Sequence, residues 1–274
     1  MRAIPAGYAA GMAALETVIA ALEHIAPLRL AADWDAVGLL VGPRRADIGR
    51  VMTCLTLTPE VAAEAAHQRA DLVVTHHPLP FQPLGRITAD TGPGAALLEL
   101  IGAGAGVWSS HTAWDSAAGG INDQLAELLG LVHVAPIEPD AETPAVGFGR
   151  AGSASAGATV GDVGRRAAAA LGVAHVQVVG AADRPAGRVG IVCGSGGDTL
   201  ASVRRGGCDT LLTGEIKLHQ ATAALAAGLA VVAVGHHASE HFSMPVLARR
   251  LAAAVPGLDA WASRDERDPV GWLG

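Results

Sequence analysis

The chain has 274 residues, half of them apolar but only 3% aromatic and 16% charged, which leaves room for one large domain or two medium ones with cores packed from Ala, Val, Leu and Gly. A net charge of −7, with Lys217 the only lysine, argues against a nucleic-acid backbone as the main partner. No apolar run approaches the roughly 18 residues of a membrane span, Met1 to Tyr8 lacks a signal-peptide design, and Cys54, Cys193 and Cys208 form no C-x-x-C pair, so a cytoplasmic protein with no membrane partner is expected.

Met12, Leu15, Val18, Ile19, Leu22 and Ile25 recur at helical spacing, which predicts a helix over 11–25 that ends before Pro27. A turn-rich segment, 32–39, then runs into a short strand. Val51 to Leu55 reads as a buried strand, and Thr58-Pro59-Glu60 opens a helix with an N-cap, a proline in the first turn and an acid near the dipole. A second strand, Asp71 to Thr75, ends at His76. A helix near 94–101 precedes the strand 107–110, which delivers His111, and a further helix covers 121–129 with Asn122 or Asp123 as its cap.

The second half echoes the first. Arg50-Val51 aligns with Arg188-Val189, Asp71 with Asp209 and Thr75 with Thr213, all at an offset of 138 residues. Glu60 falls on Asp198 and Ala63 on Ala201 in the intervening helix. The expected fold is therefore α/β, two similar three-layer α/β/α lobes arising by internal duplication, with mostly parallel sheets and a site between the lobes. The Pro-, Gly- and Ser-rich stretch 132–157 marks the junction, giving a first lobe over 1–135 and a second over 136–274 whose C-terminal part packs back on the first.

Chemistry collects where strands end, the usual ligand edge of such sheets. Three segments stand out: His76-His77, His111-x-x-x-Asp115 and His236-x-x-x-Glu240. Imidazole with carboxylate suits Zn, Fe, Mn or Ni, and the five side chains His76, His77, Asp115, His236 and Glu240 exceed one tetrahedral site, so two divalent ions are expected. Adjacent strand residues point opposite ways, so His76 and His77 both qualify only if the strand has broken, which Pro78 and Pro80 favour; otherwise they are a polar strand end with one ring solvated. His111 is expected to orient Asp115 or touch substrate rather than bind metal. His237 and His241 read as surface or packing residues.

Thr213-Gly214-Glu215-Ile216-Lys217-Leu218-His219 ends the strand equivalent to the one before the His pair. Glu215, Lys217 and His219 suit an anionic substrate or proton transfer, and equally a helix start with solvated charges. Gly194-Ser195-Gly196-Gly197 could cradle a phosphate, but a tight strand-to-helix turn capped by Asp198 reads better, and no Walker or dinucleotide pattern is present. Cys54 and Cys193 read as inert core thiols.

Seven stretches in order, Trp34-Asp35-x-Val37-Gly38-Leu39, Thr75-His76-His77-Pro78, Ser110-His111-Thr112-x-x-Asp115, Gly119-Gly120-x-Asn122-Asp123, Gly194-Ser195-Gly196, Thr213-Gly214-Glu215-x-Lys217-x-His219 and Gly235-His236-x-x-x-Glu240, resemble the Nif-three-like family, also called GTP cyclohydrolase I type 2 homologs. The resemblance spans nearly the whole chain. It implies a dinuclear centre held by His76, His77, Asp115, His236 and Glu240, a homohexameric ring with sites facing an internal cavity, and the short form without an inserted domain. It also implies a metal-dependent hydrolase of a small nucleotide-like or heterocyclic substrate, for GTP a ring opening at C8, with His111 or His219 moving protons. A non-catalytic metal-binding or interaction protein is the alternative. One departure is Ala36, where the family usually carries Asn.

Overall fold

The computed structural model describes residues 11–271. In chain order the main elements of its first part are α1 (Leu15–Ile25), β1 (Gly38–Val41), β2 (Arg50–Cys54), α2 (Pro59–His67), β3 (Leu72–Thr75), α3 (Gly92–Ala103), β4 (Gly106–Ser109) and α4 (His111–Ser116). There follow α5 (Ile121–Leu128), β5 (Val132–Ala135), β6 (Arg150–Ser153), α6 (Val160–Leu171), β7 (Gln177–Val179), β8 (Arg188–Val192), α7 (Leu200–Arg205), β9 (Thr210–Thr213), α8 (Leu218–Ala226) and β10 (Ala230–Ala233). The chain closes with α9 (His236–His241), α10 (Met244–Ala254) and β11 (Asp259–Ala262). The fold is mixed α/β.

It divides into two compact units. The first contains the described residues up to His111 together with Met244–Pro269; the second is Thr112–Ser243 with Val270 and Gly271. The expected boundary at 135/136 thus lies inside the second unit. The reason is pairing: β5 and β6, which both lie within the stretch read as a junction, are antiparallel neighbours in one sheet, while β11 pairs in parallel with β2 and returns the C-terminal segment to the first unit.

The first unit holds a five-stranded sheet in the order β11-β2-β3-β4-β1, parallel except at β1. Met52, Cys54, Val73 and Val107 bury one face under Val61, Ala62 and Ala65 of α2 and Ala96 and Leu100 of α3. From the other face Thr53 Oγ1 donates to the Met244 carbonyl at the start of α10, 2.9 Å away. Strand alternation therefore places helices on both sides, as period-two burial requires. The cap at Thr58 forms as expected, its hydroxyl accepting from Val61 N at 3.3 Å.

The second unit holds a six-stranded sheet, β7-β10-β9-β8-β6-β5, with only β8, β9 and β10 mutually parallel. Its edges are antiparallel, so the expectation of mostly parallel sheets fits the centres of both sheets and fails at their margins. Val192, Leu211 and Val231 pack with Val203 and Ala224 on one face. On the other, Gly164 of α6 is small enough for Val232 to approach.

Register repeats between the units at the 138-residue offset. Val51 lies opposite Leu72, and Val189 opposite Thr210. Asp71 Oδ2 accepts from Arg50 N at 3.0 Å, and Asp209 Oδ2 from Arg188 N at 3.1 Å. Each acid pins the start of one strand to the next.

Candidate metal centre

In the first unit, β3 and β4 are parallel neighbours with Thr75 opposite Ser109, so the residues that follow them emerge side by side. β3 stops at Thr75, which meets the condition for two adjacent histidines to face one site. Thr75 Oγ1 donates to the His77 carbonyl at 2.9 Å, and Ser109 Oγ to the His76 carbonyl at 2.8 Å, so both strand ends fix the turn. The ring centroids of His76, His77 and His111 stand 5.2–5.7 Å apart. One ligand nitrogen from each lies within 4.8 Å of the others.

Two further groups orient these rings. Asp35, whose side chain is fully buried, meets His111 Nδ1 at 2.7 Å. Thr56 Oγ1 meets His77 Nδ1 at 2.8 Å. Thr56 is itself held by its backbone, because the buried Glu266 carboxylate accepts from Leu55 N at 2.8 Å and Thr56 N at 2.6 Å. His111 sits at φ 26°, in the left-handed region where a side-chain-bearing residue is strained. Such strain is typically retained at functional positions.

In the second unit, register again converts strand order into a site. Val192, Thr213 and Ala233 are aligned across β8, β9 and β10, so Cys193-Gly194, Gly214-Glu215 and Gly235-His236 follow together. His236 and Glu240 share one face of α9, with Nε2 and Oε2 3.2 Å apart. Glu215 Oε1 lies 3.3 Å from His236 Nδ1. The Glu240 hydrogen bond, opposed by burial and supported by Glu215, pushes the His236 imidazole up to about 9 in the metal-free protein.

The approach is close enough to demand glycine. Gly194 has φ +62°, and a Cβ there would collide with Glu240 Oε1 and come within 3.2 Å of His236 Nε2. Its N–H donates to Ser239 Oγ at 2.9 Å. Asp115 Oδ1 accepts from the Cys193 thiol at 3.2 Å. Burial, then the Asp115 and Glu240 carboxylates, raise the Cys193 thiol well above its ordinary value, so it stays protonated and donates. Asn122 joins the two segments: its amide donates to the Asp115 carbonyl at 3.1 Å and accepts from Cys193 N at 3.0 Å.

The donor sets fit divalent ions. Three imidazoles crowd at one edge, one oriented at Nδ1 by a carboxylate and one by a hydroxyl, and imidazole nitrogen is a borderline-soft donor suited to such ions. In the other unit, an imidazole and a buried carboxylate lie at hydrogen-bond distance, and a second carboxylate, Asp115, neighbours the same turn.

A family model described as Duf34/NIF3 (NGG1p interacting factor 3) matches residues 13–269. The chain belongs to this family. A Clostridium perfringens protein named GTP cyclohydrolase 1 type 2 homolog is 33% identical over 268 residues, covering 94% of this chain and 99% of its own. NIF3-like protein 1 of Drosophila melanogaster is 31% identical over 249 residues, covering 86% and 82%. Among solved structures, a Bacillus cereus protein related to NIF3 matches with a TM-score of 0.87 at 22% identity, covering 94% of this chain and 98% of that one, a likeness of fold.

Within this DUF34/NIF3 chain the expected site residues are distributed as follows. His76 and His77 gather with His111, which stands among the imidazoles with Nδ1 on Asp35. His236 gathers with Glu240 and Glu215, and Asp115 with Cys193. Lys217 and His219 stand exposed, and among the described residues neither shows an ion pair with His236 or Glu240; the Lys217 N–H instead donates to Gln220 Oε1 at 2.8 Å. His237 and His241 stack on each other at 4.5 Å, a packing role.

Two expected caps are corrected. The α5 N-cap is Gly120, because Asn122 is engaged with Asp115 and Cys193, and Asp123 pairs with the buried Arg150. Asp198 caps no helix either; it accepts from Gln220 Nε2 at 2.7 Å. The Gly194 turn lets the chain approach α9 closely. Sequence reasoning gave no role to Asp35, Thr56 or Glu266, took Asn122 for a helix cap, and did not foresee that the buried Cys193 thiol donates to Asp115. Asp35 and Asn122 at least lay inside recognisable motifs, whereas Thr56 and Glu266 carried no local signal.

No described helix is long and apolar enough to cross a membrane.

Proposed function

We propose that this protein binds two divalent metal ions (Zn, Fe, Mn or Ni) through His76, His77, Asp115, His236 and Glu240 and hydrolyses a small nucleotide-like or heterocyclic molecule. The observation that carries the reading is the gathering of the His76, His77 and His111 ring nitrogens within 4.8 Å at the end of two parallel strands, which sets the proton carrier His111 beside the two ligand histidines. The names of relatives, GTP cyclohydrolase 1 type 2 homolog among them, support a ring-opening hydrolysis. A homohexameric ring in the cytoplasm belongs to the same proposal.

Bound divalent ions supply a water nucleophile at neutral pH and polarise the group under attack. The chain's own residues do the rest. His77, held at Nδ1 by Thr56, is set to ligate through Nε2. His111, with Asp35 on Nδ1, takes up a proton at its other nitrogen, and the buried carboxylate stabilises the imidazolium that results. Glu215 fixes the ring of His236 so that Nε2 and the Glu240 carboxylate face the same side.

The test is elemental analysis of protein purified without chelator, followed by a screen of metal-loaded protein against GTP and other nucleotides, beside His77→Ala and Asp115→Ala. About two equivalents per chain and turnover abolished in both variants support the reading. Metal retained with no turnover of any nucleotide would replace it with a non-catalytic metal-binding or interaction role.

A further inference from the structure

Two large apolar side chains stand in solvent beside the imidazole cluster of the first unit. Trp34 is 67% exposed and Phe81 51% exposed, while Trp108 and Trp114 are buried. In a chain with only 3% aromatic residues, exposing two such rings together forfeits stabilisation that burial would give. Their centroids lie 6.4 Å apart, and they meet the His111 ring edge-on, at 5.9 and 6.0 Å with interplanar angles of 77° and 76°. The imidazole is fixed from behind by Asp35.

We infer that Trp34 and Phe81 form a stacking platform for a planar nitrogen heterocycle, with His111 meeting the edge of the bound ring. This deepens the hydrolase reading by assigning the ring-recognition part of the same site, and it rests on that reading only for what happens to the ring afterwards. The two planes are tilted by 50°, so they do not form a parallel slot. A flat ligand stacks on one face of Trp34, and Phe81 closes its edge. An imidazole edge-on to both rings offers a hydrogen-bonding nitrogen at the rim of an apolar surface, which matches a heteroaromatic ring with polar edge atoms. A plain aliphatic side chain would gain nothing from that nitrogen. Stacking of this kind tolerates different bases, since every base has a π-face.

The experiment is isothermal titration of the full-length protein with guanosine and with ribose, in chelator-treated and metal-loaded forms, beside Trp34→Ala, Trp34→Phe and Phe81→Ala. Guanosine should bind even without metal and ribose should not. Trp34→Ala should weaken guanosine binding about 5- to 150-fold, the range that loss of one stacking partner implies, and Trp34→Phe should restore most of it. Because Trp34 is exposed, an unchanged melting profile checks that the variants fold. Equal affinity in wild type, Trp34→Ala and Phe81→Ala, or no guanosine binding at millimolar concentration, overturns the platform. So does a change of oligomeric state in Trp34→Ala with no change in guanosine binding, which would make the rings a contact between copies. Guanosine binding that survives while no nucleotide is turned over sinks the hydrolase reading and leaves the platform standing; turnover with affinity unchanged in Trp34→Ala does the reverse.

Discussion

Replacing Glu266 with Gln tests how the first unit holds His77. The buried carboxylate accepts two backbone N–H groups, from Leu55 and Thr56, and the Thr56 hydroxyl then meets His77 Nδ1. A glutamine amide keeps one acceptor but turns an NH2 toward the other N–H. One charge-assisted bond becomes neutral, and one buried donor loses its partner and faces another donor. Each bond to a charged group contributes about 1.5–3 kcal/mol and an unsatisfied buried donor costs about 1–3 kcal/mol; allowing for relaxation, the loss is about 2–4 kcal/mol. Urea denaturation reads this directly, as a lower midpoint at unchanged slope. Metal titration gives the second readout: freeing the Thr56 backbone should release the His77 ring and lower affinity about 10- to 100-fold, the usual effect of losing an outer contact to a ligand histidine. Thr56→Val removes the hydroxyl alone and should reproduce the affinity loss with little loss of stability. A Glu266→Gln protein within about 0.5 kcal/mol of wild type, the range of an ordinary surface change, would refute the energetic argument. Lost stability with unchanged metal affinity in both variants would refute the chain from Glu266 to His77.

Gly194→Ala should abolish normal metal retention by the second unit, since the added Cβ meets Glu240 Oε1 at a left-handed φ that itself costs about 1–2 kcal/mol; retention of the wild-type metal content would count against the close-approach role. Asp35→Asn keeps the shape at His111 Nδ1 but removes the charge, so the hydrogen bond that orients the ring should weaken, visible as a displaced His111 imidazole resonance by NMR in chelator-treated protein. An unshifted His111 resonance would show that the buried carboxylate does not act on it. His236 provides the pH dependence. Its pKa in metal-free protein is raised from 6.5 to about 9, so its pairing with Glu240 stabilises the fold fully below pH 6.5, and the contribution is lost as pH rises through about 9. His236→Gln should erase that slope in stability curves measured between pH 6 and 10 after chelation; a slope that persists would place it elsewhere.

Much of the site was legible in the linear chain because strand ends carry their own marks. An apolar run that stops at His76, His111 or His236 identifies both the strand and the residue it delivers, and the i, i+4 spacing of His236 and Glu240 needs only one turn of helix to bring them together. What escaped were the groups that hold those side chains in place. Glu266 lies in a polar segment after the last strand and reaches Leu55 and Thr56 only because β11 pairs beside β2. Asn122, predicted to cap a helix, is instead drawn to Asp115 and Cys193, since a buried carbonyl and a buried N–H both require partners.

The sequence by itself determined the α/β character, the strand ends and which histidines and carboxylates stand as candidate metal ligands, because those follow from local periodicity and residue chemistry. Only the tertiary structure decided which imidazoles share a turn, which carboxylate orients His111, and that the chain divides at His111/Thr112 and Ser243/Met244 rather than near residue 135. Those outcomes depend on which strands become neighbours and in what register, a choice made by burial and backbone hydrogen bonding across long stretches of chain, and no window of adjacent residues contains it.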